Sequence, residues 1–546
     1  MRRSRIAGTV AGGLLIFIAA FLPFSGCTEK AGQPSFDVVI KGGSLHDGST
    51  APPRTADIGI KGDRIIAIGD LRAHAKKTLD ARGRIVTPGF IDIHSHFDVV
   101  IREAGWRLYL TDWKDVWKGA HAQLLQGITT VVTGNDGTGH PDTSAWLKRV
   151  DSLKTGVNVG HLAPYGAIRS EMFGAGTDTP LVRGQVESLK RRLEREMHRG
   201  ALGMSIGLHR RPDNLATSDE IAELALSVKN YGGSLSIRLR DDSGTIQDNG
   251  QAAVIGSLAE AVGYGLRSGT PLHLSQIRLR LPFTSVRSSQ MRRIVEEAKR
   301  SGLNITADQS PYEASIARLT SRLPANLPPA GVKNESRAGA SQEPLKKAVE
   351  DLLFLQKPDR IQLVSCPGNR ALEGKTIGDI ARERGIPPAE VYLSLVLDET
   401  VPTAAFFETN DKVIRALMPF PWVFTASDAL PSLSADAPLH PSYYGTFPRT
   451  IRKYVIEDKI VRLDEAIRSM TSLPAEKFGL WGRGRLSVGG YADIAVIDIK
   501  DYGDAATYRE PKKPARGIIH LLVNGIVSVE NGKVTGNRGG RALRRF

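Results

Sequence analysis

Cysteine is almost absent: Cys27 and Cys366 are the two thiols in 546 residues. They can build neither a disulfide scaffold nor a cysteine-based zinc finger. Long apolar runs are equally scarce. A single one, residues 6–24 (IAGTVAGGLLIFIAAFLPF), stands at the N-terminus, and this excludes a polytopic membrane protein. Aromatic residues make up 6% of the chain and no basic stripe is interleaved with them, so nucleic-acid binding is not expected despite a formal charge of +15. That charge suits an anionic membrane surface or acidic substrates instead. Tandem repeats are missing, and 56 glycines and 30 prolines are far from a collagen-like or low-complexity composition. What remains is 41% apolar and 24% charged, an ordinary globular chain with room for a large core and about three domains.

The apolar run follows Arg2, Arg3 and Arg5 and precedes Ser25, Gly26 and Cys27. A basic start, an apolar stretch and small residues read as an export signal. FSGC resembles a bacterial lipobox, which implies lipidation of Cys27. An uncleaved signal anchor and a twin-arginine signal (RRSRIA) stay open as alternatives. All three readings place the body outside the cytoplasm, in the periplasm or cell envelope.

Residues 1–26 are thus a lipoprotein-like signal peptide and 27–35 a linker. From Phe36 the chain is dense in strand signals: FDVVIKGGSLHDG and ADIGIKGDRIIAIGD alternate apolar and polar residues between turns. The end has the same texture (GRLSVGGYADIAVIDI, IIHLLVNGIVSVENGKVTG). Segments 36–83 and 476–546 are expected to make one small β-sandwich domain together, with RGGRALRRF as a solvated basic tail. Between them, eight short apolar strands alternate with amphipathic helices, among them a helix opened by Ser218-Asp219-Glu220. The pattern implies an α/β chain with a (β/α)8 TIM-like barrel over 84–475. Residues from about 318 to 421 exceed one crossover and read as an insertion. Cys366 within it is expected to be a buried free thiol.

The sharpest chemical signal is GFIDIHSHFD. Residues i and i+2 of a strand face one side, so His94 and His96 point together at the end of the first barrel strand, where barrel active sites form. Two imidazoles so placed can bind one divalent metal. Asp92 and Asp98 flank them without an assigned role.

The residues VTPGFIDIHSHFD resemble the amidohydrolase superfamily. GALGMSIGL, ITADQSPYEAS, ASDALPS, LHPSYYGTFPR, MTSLPAEKFGL and GYADIAVIDI narrow the resemblance, from about residue 36 to 545, to a divergent member of the D-aminoacylase (N-acyl-D-amino-acid deacylase) family. The resemblance implies that Asp428 is a metal ligand and the general acid/base. A carboxylate beside a metal can take a proton from water and pass it to a leaving amine.

The departures from the family pattern are informative. The family's GNCG reads GNDG, with Asp136 at the cysteine position. Arg238 stands where a histidine ends the fifth strand. Gln276 stands where a histidine ends the sixth, and Arg278 replaces a lysine. Arginine binds no cation, so one metal is expected rather than two, held by His94, His96 and Asp428 with Asp136. Zn²⁺ is the expected ion, and other divalent metals suit the same ligands. Arg238 is placed to pair with Asp136. His209 and His273 are candidate substitute ligands, although His273, three residues before Gln276, is expected on the opposite face. The carboxylate-binding arginine of the family's HPR motif is Ser442 here, and a tyrosine position reads Arg210. Arg210, Arg238, Gln276, Arg278, Tyr312 and Ser315 are the expected substrate-binding residues, with Arg238 or Arg278 orienting substrate or stabilising an oxyanion.

These readings converge on an exported, membrane-anchored hydrolase of amide C–N bonds, nominally of small N-acyl-D-amino acids. Two alternatives stand beside it. One is a catalytically silent binding protein on the same scaffold, motivated by the lost histidines. The other is a substrate-shifted hydrolase for a cyclic amide or peptide. The absence of lysine from ALGMSIGLHRRPDN argues against the cyclic-amide subtype, which the resemblance associates with a carboxylated lysine there.

Overall fold

The computed structural model describes residues 36–545 apart from 73, 100–118, 177, 283–287, 325–342 and 432–438. The export segment and Cys27 lie outside the described residues.

Both ends of the chain build one mixed sheet. From the N-terminal side come β1 (Phe36–Leu45), β2 (Arg54–Lys61), β3 (Arg64–Gly69), β4 (Ala75–Asp80) and β5 (Ile85–Pro88). Antiparallel pairing joins β1, β2 and β3, while β4 and β5 run parallel to β1. The reason lies in the alternation: Val38, Ile40, Ile58, Ile60, Leu79 and Val86 all fall on one buried face. RIVTPGFIDI is not one strand. It divides at Gly89, where a Cβ would lie 2.2 Å from Thr129, and its first half stays in this sheet.

The second half, β6 (Phe90–Asp92), starts a run of parallel strands. It pairs with β7 (Ile128–Thr133), which pairs with β8 (Asn158–His161). A second sheet runs β9 (Ala163–Pro164), β10 (Gly203–Gly207), β11 (Ser234–Arg238), β12 (Leu272–Ser275) and β13 (Ile305–Gln309). Helices separate these strands. The one over Ser218–Asn230 is capped by Thr217, whose side chain accepts from the Glu220 N–H at 3.2 Å. That cap precedes the expected start signal by one residue.

Between β13 and the last parallel strand lies a separate antiparallel sheet, β14 (Ala314–Arg318), β15 (Ile361–Ser365) and β16 (Thr403–Phe407). It has its own core, which includes Leu319, Ile361, Tyr392 and Phe406. Cys366 is a buried free thiol in that core, as expected. Strand β17 (Val423–Thr425) then pairs with β13. Finally β18 (Ile494–Ile497) runs antiparallel to β5, followed by β19 (Ile518–Val523), β20 (Ile526–Glu530) and β21 (Lys533–Val534).

The C-terminal tail is not solvated. The Val159 N–H donates to the Arg541 carbonyl at 3.0 Å and the Leu543 N–H to the Val159 carbonyl at 2.8 Å. Ala542 and Leu543 are buried. The expectation failed because arginine-rich composition hid two apolar side chains and a free strand edge that needed partners. Among the described residues no helix is long and apolar enough to cross a membrane.

Candidate metal and active site

The C-terminal ends of the parallel strands carry the site. Past β6, His94 and His96 aim at one carboxylate oxygen: Asp428 Oδ1 lies 3.1 Å from His94 Nε2 and 3.3 Å from His96 Nε2. Asp136 Oδ2 lies 3.5 Å from His94 Nε2. One ligand atom from each of these four residues falls within 4.8 Å of the others.

The backbone places them at some cost. Asp136, Gln276 and Asp428 all sit just past strand ends with φ of 54°, 50° and 47°. Left-handed geometry disfavours side chains with a Cβ by roughly 1–2 kcal/mol, and such strain gathers at functional sites. For Asp428 the hold is visible. Its N–H donates to the His94 carbonyl at 2.9 Å, and the His96 N–H donates to the Ala429 carbonyl at 3.1 Å. Asp92, which carried no assigned role, braces this turn. It accepts from the Ser427 N–H at 3.0 Å and the Ser427 hydroxyl at 2.5 Å. Burial pushes the Asp92 carboxyl up to about 6.

The residues that replace histidines point into the same cluster. Arg238 places Nη1 2.8 Å from Asp136 Oδ2 and 3.5 Å from Asp428 Oδ2, so the expected pairing with Asp136 is present. The Gln276 amide donates to Asp428 Oδ2. Two residues escaped sequence reading. Asp308 lies 3.3 Å from His94 Nδ1, and Ser275 donates to Asp136 Oδ1 at 2.7 Å. A metal-facing imidazole needs an acceptor on its other nitrogen, but the sequence does not say which residue supplies it.

His273 departs from expectation. It does not face away: its Nε2 lies 2.9 Å from Asp308 Oδ2. Strand β12 ends at Ser275 and Gln276 turns left-handed, so counting alternation back from Gln276 gave the wrong parity. Ser275 and His273, two apart, share the side that faces His94. His209 is exposed on the cleft wall and stands outside the four-residue group.

These residues fit a divalent cation. His94 is fully buried, and its Nε2 has no hydrogen-bond partner. Burial would lower the imidazole's affinity for a proton, but the carboxylates of Asp136, Asp308 and Asp428 outweigh burial and raise it well above its ordinary value. Burial would likewise raise Asp428, yet His94, His96 and Arg238 hold it well below the usual carboxylate range. A pocket of three carboxylates around one imidazole, with one guanidinium in contact, calls for further positive charge.

Above the cluster opens a cleft of about 1160 Å³ lined by His96, Asp136, Arg210, Arg278, Tyr312 and Ser315 among others. The expected substrate-binding residues all reach its wall, but most are already engaged. Arg278 pairs with Asp242 at 2.7 Å, Tyr312 donates to the Pro441 carbonyl at 3.3 Å, and Ser315 accepts from Arg322 at 2.6 Å.

Comparison with known proteins bears on this geometry. A family model described as amidohydrolase family matches residues 356–529. The chain is 28% identical to D-aminoacylase of Alcaligenes xylosoxydans xylosoxydans over 95% of its length and 99% of that protein. It is 29% identical to N-acyl-D-glutamate deacylase of the same organism over 94% and 97%. Among solved structures, N-acyl-D-glutamate deacylase from Bordetella bronchiseptica, complexed with zinc and a phosphonate mimic of the tetrahedral intermediate, superposes with a TM-score of 0.75 at 26% identity. It covers 94% of this chain and 100% of its own. D-aminoacylase superposes at 0.74 with 26% identity, covering 93% and 100%. That D-aminoacylase has a binuclear metal centre, with one-metal activation and second-metal attenuation.

Proposed function

We propose that this chain, a divergent D-aminoacylase relative of the amidohydrolase family, hydrolyses the amide bond of small N-acyl-D-amino acids with one divalent metal ion, zinc by preference. The observation that carries the reading is the convergence of His94, His96 and Asp136 on Asp428 around a buried imidazole nitrogen that makes no hydrogen bond. His94 and His96 through Nε2, with the carboxylates of Asp136 and Asp428, would hold the ion. When bound, a divalent cation polarises the amide carbonyl and acidifies water toward neutral pH.

The protein's own groups do the rest. Asp428 accepts the proton of the water that adds to the carbonyl carbon. It returns that proton to the nitrogen as the C–N bond breaks, leaving a carboxylic acid and an amine. The Gln276 amide and Arg238 hold its other oxygen, so the carboxylate keeps one orientation through both transfers. Asp308 and Ser275 engage the far nitrogen of His94 and fix its ring. Arg238 fills the space beside Asp136 with a permanent positive charge, which supports a one-ion site. The intact cluster offers no observation in favour of a catalytically silent scaffold.

We read the two parallel sheets as arcs of one (β/α)8 barrel. A bridge between Ser95 and Ala429 links the ends of β6 and β17, and one residue, Leu162, separates β8 from β9. A single apolar cluster draws Ile91, Val132, Leu162, Leu202 and Phe424 from both sheets. The terminal strands then form the companion β-sandwich, and 318–421 the insertion. Export and anchoring at Cys27 complete the proposal. Cys27→Ala should release the protein from membrane fractions, and unchanged membrane association of that variant counts against the anchor.

The enzymatic test is a zinc-loaded screen against N-acyl-D- and N-acyl-L-amino acids. Turnover of the D series is expected, lowered about a thousandfold by Asp428→Asn. Turnover by Asp428→Asn at close to the wild-type rate contradicts the proton shuttle, and none by the zinc-bound wild type contradicts the hydrolase.

A further inference from the structure

Three loops meet at one end of the sheet that both chain termini build, and they leave large apolar side chains in the open. Trp481 is 76% exposed and Val488 64%, both on the segment that leads into β18, and Ile526 at the start of β20 is 45% exposed. The backbone holds these loops together. The Tyr491 N–H donates to the Gly482 carbonyl at 2.9 Å, and the Gly489 N–H to the Ile65 carbonyl at 2.8 Å. A Cβ on Gly525 would lie 2.0 Å from the Gly62 carbonyl oxygen, so the β19–β20 turn is pressed on the β2–β3 turn. Clustered apolar side chains left in water mark a contact surface.

The rim of this patch is basic. Lys61 is exposed, and among the described residues no carboxylate lies within salt-bridge distance of it. The Arg64 guanidinium stacks 3.5 Å over the Tyr491 ring and donates to the Gly489 carbonyl at 3.0 Å. Arg64 and Arg541 share a single carboxylate, Asp63, at 3.6 Å and 2.6 Å. Positive charge is therefore in excess around the apolar side chains.

The chain enters the fold at this same end. Val38 pairs with Ile60, which sets Phe36 beside the β2–β3 turn, and the Gly62 N–H donates to the Asp37 carboxylate at 2.8 Å. Residues 28–35 join Cys27 to that point and span at most roughly 30 Å.

Resting on the export and anchoring reading above, we propose that this end of the β-domain is a membrane-contact face. Trp481 and Val488 enter the headgroup region of an anionic phospholipid bilayer, while Lys61, Arg64 and Arg541 meet lipid phosphates. An anchor at Cys27 keeps this end, rather than any other, within reach of the bilayer. Tryptophan is favoured at the membrane–water interface, and each basic side chain near anionic headgroups adds attraction. So few apolar side chains do not hold the protein at physiological salt without an anchor. The face sets how the anchored molecule is oriented.

The test reads quenching of tryptophan emission by brominated acyl chains, with the full-length protein on phosphatidylcholine vesicles containing about one third phosphatidylglycerol in about 0.02 M salt. Wild type should be quenched, and quenching should fall by about half or more in Trp481→Phe. Val488→Asp and Lys61→Glu should each lower it, as should pure phosphatidylcholine or about 0.5 M salt. Circular dichroism and zinc-dependent turnover should stay unchanged in all three variants, since none touches the metal group. Equal quenching of wild type and Trp481→Phe overturns the proposal, and so does quenching indifferent to both lipid charge and salt. A dimer in sedimentation that Val488→Asp dissociates assigns the face to a second copy and likewise overturns it. Membrane fractionation separates this inference from the anchor. Wild type that stays on membranes, with quenching independent of Trp481, keeps the anchor and removes the face. Wild type recovered free of membranes, yet quenched through Trp481 on the anionic vesicles, keeps the face and removes the anchor.

Discussion

The proposed one-ion site turns on individual residues. Arg238 and Gln276 occupy Asp428 Oδ2, leaving Oδ1 for the two imidazoles. Metal analysis of the purified chain should give one ion per protein, and Arg238→His should raise that number toward two. A wild-type stoichiometry of two would show that a guanidinium does not exclude the second ion. His94→Ala removes the central ligand, so both bound metal and turnover should fall to background. For Asp428→Asn we expect kcat to drop by about a thousandfold, with folding retained by circular dichroism, in line with losses at groups that act in the transition state. His94 and His96 were legible in the sequence because alternation and strand-end position constrain them locally, and Asp428 through the family resemblance alone. Asp308 was not, because its role depends on which way the far nitrogen of His94 faces, and a strand 214 positions away decides that.

Secondary elements carry a different lesson. Strands and helices declare themselves through apolar period, and most appear where the pattern places them. Strand ends do not. His273 was read on the wrong face because one left-handed residue, Gln276, breaks the alternation. The C-terminal segment was read as solvated because composition is blind to an unpaired strand edge. In the fold it zips onto β8 through Val159. Leu543→Ala should therefore cost about 2 kcal/mol in urea unfolding, the lower end for a buried leucine. A cost below about 0.5 kcal/mol, typical of a surface change, would mean that the segment adds nothing to the core.

At the scale of the whole molecule, burial controls how stability answers to pH. Asp213 is buried beneath the cluster and accepts the Gly207 N–H at 2.7 Å. Burial raises its carboxyl from 3.8 to about 8, with the Gly207 N–H and Arg210 opposing. A raised carboxyl favours the protonated folded state. Its contribution is complete below about pH 4 and is lost as pH climbs through about 8. Wild type should accordingly lose stability between pH 5 and 9 in thermal or urea unfolding. Asp213→Asn, neutral throughout and still able to accept that N–H, should flatten the slope. An unchanged slope in the variant would assign the dependence to other groups.

The sequence by itself determined the alternation of strands and helices, the paired imidazoles after the first parallel strand, and the missing histidines that argue for one ion. Those features depend on a residue's own chemistry and on neighbours a few positions away. Only the tertiary structure decided how His94 is oriented and where the tail docks. Charges and strand edges are satisfied by whatever the fold brings within about 4 Å, and that proximity is set by packing rather than by order along the chain.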